Sequence, residues 1–176
     1  AVSELFKGKL TTDRVNHSGE GIFFSSRLMD EFIIISGGKV FSCNHFDESL
    51  ILDLSEVSRP GGTTVYMSLA NNSAKQAKEI FDSFTDDDGL FIRTTIPVKN
   101  VFDSSPVSRS QAKRLSNRFT EFKEVILDFE GVDWIGQGFA DQLFRVFQNE
   151  NPGIRLLPVN MNEKIGRASC GKECRS

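Results

Sequence analysis

Apolar positions along this chain alternate between steps of three to four and steps of two, and those changes divide it into helices and strands. Phe24, Leu28, Met29 and Phe32 follow Ser18-Gly19-Glu20-Gly21 at near-helical spacing, with Ser18 or Gly21 as the start or turn residue. Phe32 to Ile35 then reads as a strand, Gly37-Gly38 as a tight turn and Val40 to Ser42 as a returning strand. Leu50 to Leu54 predicts another strand. Pro60-Gly61-Gly62 predicts a turn before an alternating strand from Thr63 to Leu69. Asn72 or Ser73 is placed to cap a helix whose Ala74, Ala77, Ile80, Phe81 and Phe84 share a face. The run Asp86-Asp87-Asp88-Gly89 stops it. This acidic run lacks the alternating oxygen ligands of a calcium loop and reads as a solvated linker.

The pattern restarts with an apolar, β-branched strand from Phe91 to Val98. Ser108 or Ser110 is the candidate cap of a helix that buries Ala112, Leu115 and Phe119 and leaves Arg109, Lys113, Arg114 and Arg118 largely off that face. Val125 to Phe129 predicts a strand covered on both faces, with Ile126 and Leu127 buried on opposite sides. After a loop from Gly131 to Gly138, the helix Phe139 to Phe147 turns Phe139, Leu143, Val146 and Phe147 inward and pairs Asp141 with Arg145 outside. Asn151-Pro152-Gly153 ends it, and Ile154 to Leu157 is the next strand. The order β, α, β, α, β over about 70 residues predicts a mainly parallel sheet with helices packed on it.

Composition narrows the chemistry. The 176 residues include 16 Phe against one Trp and one Tyr, so the aromatic content reads as packing. A net charge of -3, from 21 basic and 24 acidic residues, gives no global preference for nucleic acid. Neither a run of about 20 apolar residues nor a basic stretch followed by an apolar core appears, and the expectation is a soluble, cytoplasmic protein without a membrane partner. Cys43, Cys170 and Cys174, with His17 and His45, have neither disulfide-framework nor zinc spacing, so no metal site is expected.

The apolar pattern is already running at Leu5 to Leu10, which predicts that further chain precedes Ala1. Residues 166–176 lack periodicity and a helix stop and resemble translated adapter or vector sequence, so Cys170 and Cys174 carry no functional argument.

Several positions carry candidate chemistry. Asp128 and Asp133 form a possible carboxylate pair, but no His, Cys or Lys is placed in sequence to complete a mechanism, and loop hydrogen bonding is the competing role. No catalytic residue is assigned. Gln137, between two glycines, is either loop scaffold or partner contact. The basic positions Arg109 and Arg114 either face solvent or meet an acidic protein or nucleic acid, with the nearby Glu121 and Glu124 weakening the second reading. Ser18-Gly19-Glu20-Gly21 before a helix is the arrangement that lets backbone amides approach a phosphate, though a lone Gly-x-Gly is unspecific.

Two family resemblances organise these motifs. From His17 to Leu69, Gly19-Glu20-Gly21-Ile22 and Gly62-Thr63-Thr64-Val65 resemble the final part of the ATP-binding domain shared by histidine kinases, gyrase-type ATPases and anti-sigma kinases. The resemblance implies nucleotide contacts at Gly19, Gly21, Gly62 and Thr63. The family's magnesium-holding Asn helix and adenine-binding Asp-x-Gly-x-Gly motif are absent from the 16 residues before His17. This chain is therefore expected to bind ATP weakly or not at all, with ATP and magnesium belonging to a longer parent.

The second resemblance rests on Val107 to Leu115, Val125 to Val132 and Ile135 to Phe147, which in order and spacing look like a STAS-like domain of unknown function. STAS domains of the anti-sigma antagonist kind follow a Leu-Asp-x-Ser-Gly-Val segment with a phosphorylated Ser or Thr at the next helix start. Here Leu127-Asp128-Phe129-Glu130-Gly131-Val132 is kept, but Gly136-Gln137-Gly138 supplies no hydroxyl.

The predicted organisation is thus a partial α/β-sandwich ATPase-like region over residues 1–88, a STAS-like α/β domain over 89–165 and a non-native tail over 166–176. The implied role is a bacterial regulatory or signalling interaction module, acting on a protein partner or an attached ATPase-like domain. The alternatives are the nucleotide lid of an ATP-dependent kinase or ATPase, and a DNA-associated regulator.

Overall fold

Two separate burial problems shape the chain, which divides into compact units Ala1–Ser83 and Phe84–Ser176. The structure, a computed structural model, describes residues 2–13, 15–42, 61–102 and 104–169. Cys43, His45, the expected strand Leu50 to Leu54, Pro60, Cys170 and Cys174 lie outside the described residues.

In the first unit, helices α1 (Val2–Lys7) and α2 (Gly21–Leu28) accompany strands β1 (Glu31–Ser36), β2 (Lys39–Ser42) and β3 (Thr63–Ser68). The strands form an antiparallel sheet in the order β2-β1-β3. Gly37 and Gly38 both have positive φ, 54° and 68°, the conformation that a two-residue hairpin turn of type I′ requires, and they bring Ser36 opposite Lys39. The core is aromatic: Phe6, Phe23, Phe32 and Phe41 are almost fully buried, with the Phe6 and Phe41 rings 4.8 Å apart. Lys7 is also buried and bonds Glu4 at 2.7 Å, so its charge enters the interior with a partner.

Helix α3 (Ala77–Phe84) begins later than the sequence pattern places it. The cause is a competing set of bonds: Asp30 accepts from the Ala70 amide and the Ser73 hydroxyl, both at 2.9 Å. Ser73 is therefore engaged by the turn before β1 and does not cap the helix, and Ala74 stays outside it.

The second unit contains β4 (Arg93–Pro97), a short helix α4 (Val98–Val101), α5 (Arg109–Ser116), β5 (Glu124–Asp128), β6 (Arg155–Val159) and α7 (Glu163–Ser169). Between β5 and β6 runs α6 over residues 137–150, comprising Gln137–Ala140, a π-helical stretch Asp141–Phe147 and Gln148–Glu150. The sheet is parallel throughout, in the order β4-β5-β6, and with its packed helices it is a STAS-like α/β fold. Register is marked by a cross-strand triplet: Arg93 faces Glu124, which faces Arg155, and the Glu124 carboxylate pairs with both arginines.

Several boundaries differ from those expected. Phe91 forms an isolated bridge to Thr85, so the strand starts at Arg93, and Val98 opens α4. On β5, Val125 and Leu127 are fully buried but Ile126 only half so; the two faces of the sheet are unequally covered. Helix α5 stops at Ser116, because Arg118 adopts a left-handed φ of 67° and turns to pair with Glu121. Arg118 thus leaves the basic helical face. Helix α6 starts at Gln137 rather than Phe139, and its wider π turns rotate later side chains away from a 3.6-residue period. Phe139, Leu143 and Phe147 are buried as the pattern requires; Val146 is only half-buried, and Gln142 is drawn inside.

Residues 166–169, read from the sequence as the start of a tail without periodicity, are helical as the last part of α7. One buried side chain, Ile165, anchors it, and the Asn162 Oδ1 accepts the Ile165 amide at 3.0 Å.

Candidate functional site

The C-terminal edge of a parallel sheet gathers loops that no strand pairing covers, and open α/β sheets bind their ligands there. In the second unit this edge carries the 129–136 loop, which begins as β5 ends. The Asp128 carboxylate accepts from the Glu130 amide and from Asn160 Nδ2, each at 2.9 Å. Asp128 therefore shapes the loop. Asn162 donates from Nδ2 to the Val132 and Asp133 carbonyls, both at 3.0 Å, so the cap of α7 also grips this segment. Val132 and Ile135 point into the core, while Asp133 and Trp134 stay at the surface; Trp134 is 47% exposed.

The start of α6 is built on close backbone contact. The Gly136 amide donates to the Pro106 carbonyl at 2.9 Å, and the Phe139 amide to the Val107 carbonyl at 3.2 Å. A Cβ on Gly136 would lie 2.5 Å from the Val107 oxygen and 2.6 Å from its Cα, closer than real Cβ contacts allow. At Gly138 the same oxygen would be 3.4 Å away. Gly136 is therefore required by its approach to the 106–107 backbone. Gln137 between them is exposed, free of that constraint.

The preceding segment continues from Val107 into α5 through a capping box. The Gln111 amide donates to Ser108 Oγ at 3.2 Å, and Gln111 Oε1 accepts the Ser108 amide at 2.9 Å. Arg109 follows directly, its backbone nitrogen and Cγ both within 4 Å of the position of a Gly138 Cβ. Its guanidinium reaches Asp141 at 3.2 Å, and Arg145 holds the same carboxylate. The hydrogen bond from Arg145 is the largest influence holding the Asp141 carboxyl below its ordinary range, with the charges of Arg145 and Arg109 adding to it. Arg114, further along α5, carries its guanidinium 5.7 Å from the centre of the Phe102 ring. The structure thus gathers Gln137 and Arg109 at one junction and places Arg114 toward Phe102.

A cleft of about 540 Å³ opens beside this junction, between the ends of β4 and β5, and Lys99 and Asp133 are among its lining residues. Sequence reading passed over Lys99 and Trp134. Lys99 had no pattern to mark it, whereas Trp134, the chain's single Trp in a polar, glycine-flanked loop, offered a usable signal.

The residues that the first resemblance ties to nucleotide are arranged differently. Gly19 and Gly21 line one shallow groove of about 370 Å³, together with Leu10, His17 and Glu20. Gly62 and Thr63 are not among its lining residues; the Thr63 hydroxyl instead bonds that of Ser36 at 2.9 Å. Gly19 has φ of +72°, and a Cβ there would meet the Leu10 backbone at 2.7 Å, so packing alone demands this glycine. Glu20 puts a carboxylate-bearing residue on the same lining. Among the described residues no group of three or more His, Cys, Asp or Glu could hold a metal ion.

No helix among the described residues is long and apolar enough to cross a membrane. No curated protein and no solved structure matches the chain. The segment from Gln111 on α5 to Ile165 on α7, which contains Gly136-Gln137-Gly138 and the Asn162 clamp, matches the family model of the STAS-like domain of unknown function (DUF4325).

Proposed function

We propose that the second unit is a regulatory interaction module that docks a protein partner through the α6 start and the 129–136 loop. It performs no catalysis of its own, and in a bacterial cytoplasmic protein it controls an attached ATPase-like domain. The observation that carries this reading is the junction of Gly136 with Val107. Backbone contact there fixes the helix start, and the exposed Trp134, Gln137 and Arg109 stand around it on a rigid frame. A pre-organised frame with an exposed aromatic and an arginine has the composition of an interface anchor. No hydroxyl lies at residues 135–139, so the frame is read as a constant surface rather than one switched by modification at that helix start.

The test uses the longer protein that carries the ATPase-like region. Calorimetric titration with ATP and magnesium is compared among the wild type, Trp134→Ala and Gln137→Ala. If the module acts through this surface, Trp134→Ala changes nucleotide affinity roughly five- to thirtyfold, the range of one anchor truncation worth about 1–2 kcal/mol. Unchanged affinity in both variants overturns control of the ATPase region. Binding of unrelated DNA with steep salt dependence would instead support the DNA-associated reading.

A further inference from the structure

We infer that the cleft between the C-terminal ends of β4 and β5 binds a small organic phosphate, a phosphate monoester with a compact apolar body. Its volume of about 540 Å³ falls within the range of about 300–1,000 Å³ typical of small-molecule sites. Val98, Phe102, Pro106 and Val132 are lining residues that are themselves buried, which gives the cleft an apolar floor. Lys99, Ser104 and Ser105 supply a cation and two hydroxyl donors on the stretch that follows β4.

The lysine is placed by a glycine. Gly131, with φ of +70°, would carry a Cβ 3.0 Å from Lys99 Cδ and 3.4 Å from Nζ, so its bare backbone lets the lysine chain lie across it. Among the described residues no carboxylate pairs with Lys99, and the Ser104 and Ser105 hydroxyls have no hydrogen-bond partner. An ammonium and two hydroxyls are donors only or donor-capable groups, suited to the oxygens of a single phosphate. Asp133, also on the lining, adds a negative charge that disfavours a second phosphate. Among the described lining residues, one cation, one opposing acid and an apolar floor together select a monophosphate with an apolar body. The cleft shares Gly131, Val132 and Asp133 with the 129–136 loop proposed above for docking, but Trp134 and Gln137, whose substitution tests that surface, do not line it.

Phenyl phosphate is the probe, titrated into the full 176-residue chain while backbone amide resonances are followed by NMR. Saturable shifts are expected at Lys99, Ser104, Ser105 and Gly131, with about tenfold weaker binding in Lys99→Gln, the loss of one charge-assisted contact. Lys99 is exposed, so this variant keeps the fold, and an unchanged spectrum elsewhere verifies it. A Ser104→Ala/Ser105→Ala double variant is expected to weaken binding as well. Absence of saturable shifts overturns the inference, as does wild-type affinity in Lys99→Gln. Inorganic phosphate binding as tightly as phenyl phosphate removes the role of the apolar floor and also overturns it.

Discussion

The first unit covers an antiparallel sheet incompletely, whereas the second encloses a parallel one. Val65 and Met67 on β3 are about half exposed, and no residue of α3 is buried despite its strongly one-sided apolar pattern. In the second unit Ile96, Val125 and Leu127 are fully buried, and Phe139 and Leu143 of α6 are equally inaccessible. Antiparallel strands tolerate water on one face, but parallel strands joined by helical crossovers are covered by those helices. The difference sets where a substitution is felt: side-chain packing and backbone approach dominate the second unit, while much of β3 and α3 remains open to change.

Trp134, the single Trp, lies in the second unit and makes its fluorescence a selective reporter, whereas far-ultraviolet circular dichroism follows both. The largest effect is expected from Phe139→Ala. It should destabilise the Trp-reported urea transition by roughly 3–5 kcal/mol, since a fully enclosed ring leaves a cavity. Gly136→Ala follows, at about 1–3 kcal/mol in the same transition, because its methyl group meets the Val107 backbone and not a movable side-chain end. Loss of neither stability would break the contrast between the units.

Acid should affect both units. Hydrogen bonds from Ala70 and Ser73 hold Asp30 below the ordinary aspartate range, the Leu90 amide does so for Asp86, and Arg145 for Asp141. Each carboxylate is thus more acidic folded than unfolded. Its stabilising contribution is complete above the unfolded value of about 3.9 and is lost as pH falls from there through the folded pKa. Urea midpoints measured by both signals are expected to be insensitive to these three groups near neutrality and to fall in that acid window. Asp30→Asn should remove part of the acid dependence seen by circular dichroism and leave the Trp signal unchanged.

Smaller effects sharpen the comparison from the other side. Met67→Lys, on the open face of β3, should change stability by no more than about 0.5 kcal/mol in circular dichroism melts. Gly21→Ala should be neutral or stabilise by a few tenths of a kcal/mol. The position opens a helix, its φ is ordinary, and a Cβ there meets nothing within 4 Å. A large loss at Gly21 would show that its glycine serves more than the helix start.

The local signals were legible where neighbours in sequence are neighbours in space. Gly37-Gly38 announced the hairpin, and the α5 start was placed at Ser108 or Ser110, of which Ser108 is the cap. The parallel order of β4, β5 and β6 followed from their spacing. The late start of α3 was hidden because Ser73 is claimed by Asp30, more than 40 residues earlier in the chain. The π turns of α6 left no mark in a pattern read at 3.6 residues. At the candidate site, Gly136 and Gly138 read only as a loop lacking hydroxyls, since their neighbour Val107 lies some 30 residues away. Lys99 became visible only when Gly131 was found beneath it.

The contact between Gly136 and the Val107 carbonyl also filters which mutations can reach the head of α6. A serine at 136 would have to displace backbone before its hydroxyl could serve as an acceptor, so that substitution is sterically closed. Position 137 has no such barrier: its side chain faces water, and Gln137→Ser would install an accessible hydroxyl one residue along without disturbing the glycine junction. Within the triplet, therefore, the middle position is open to side-chain change while its flanking glycine holds the scaffold constant.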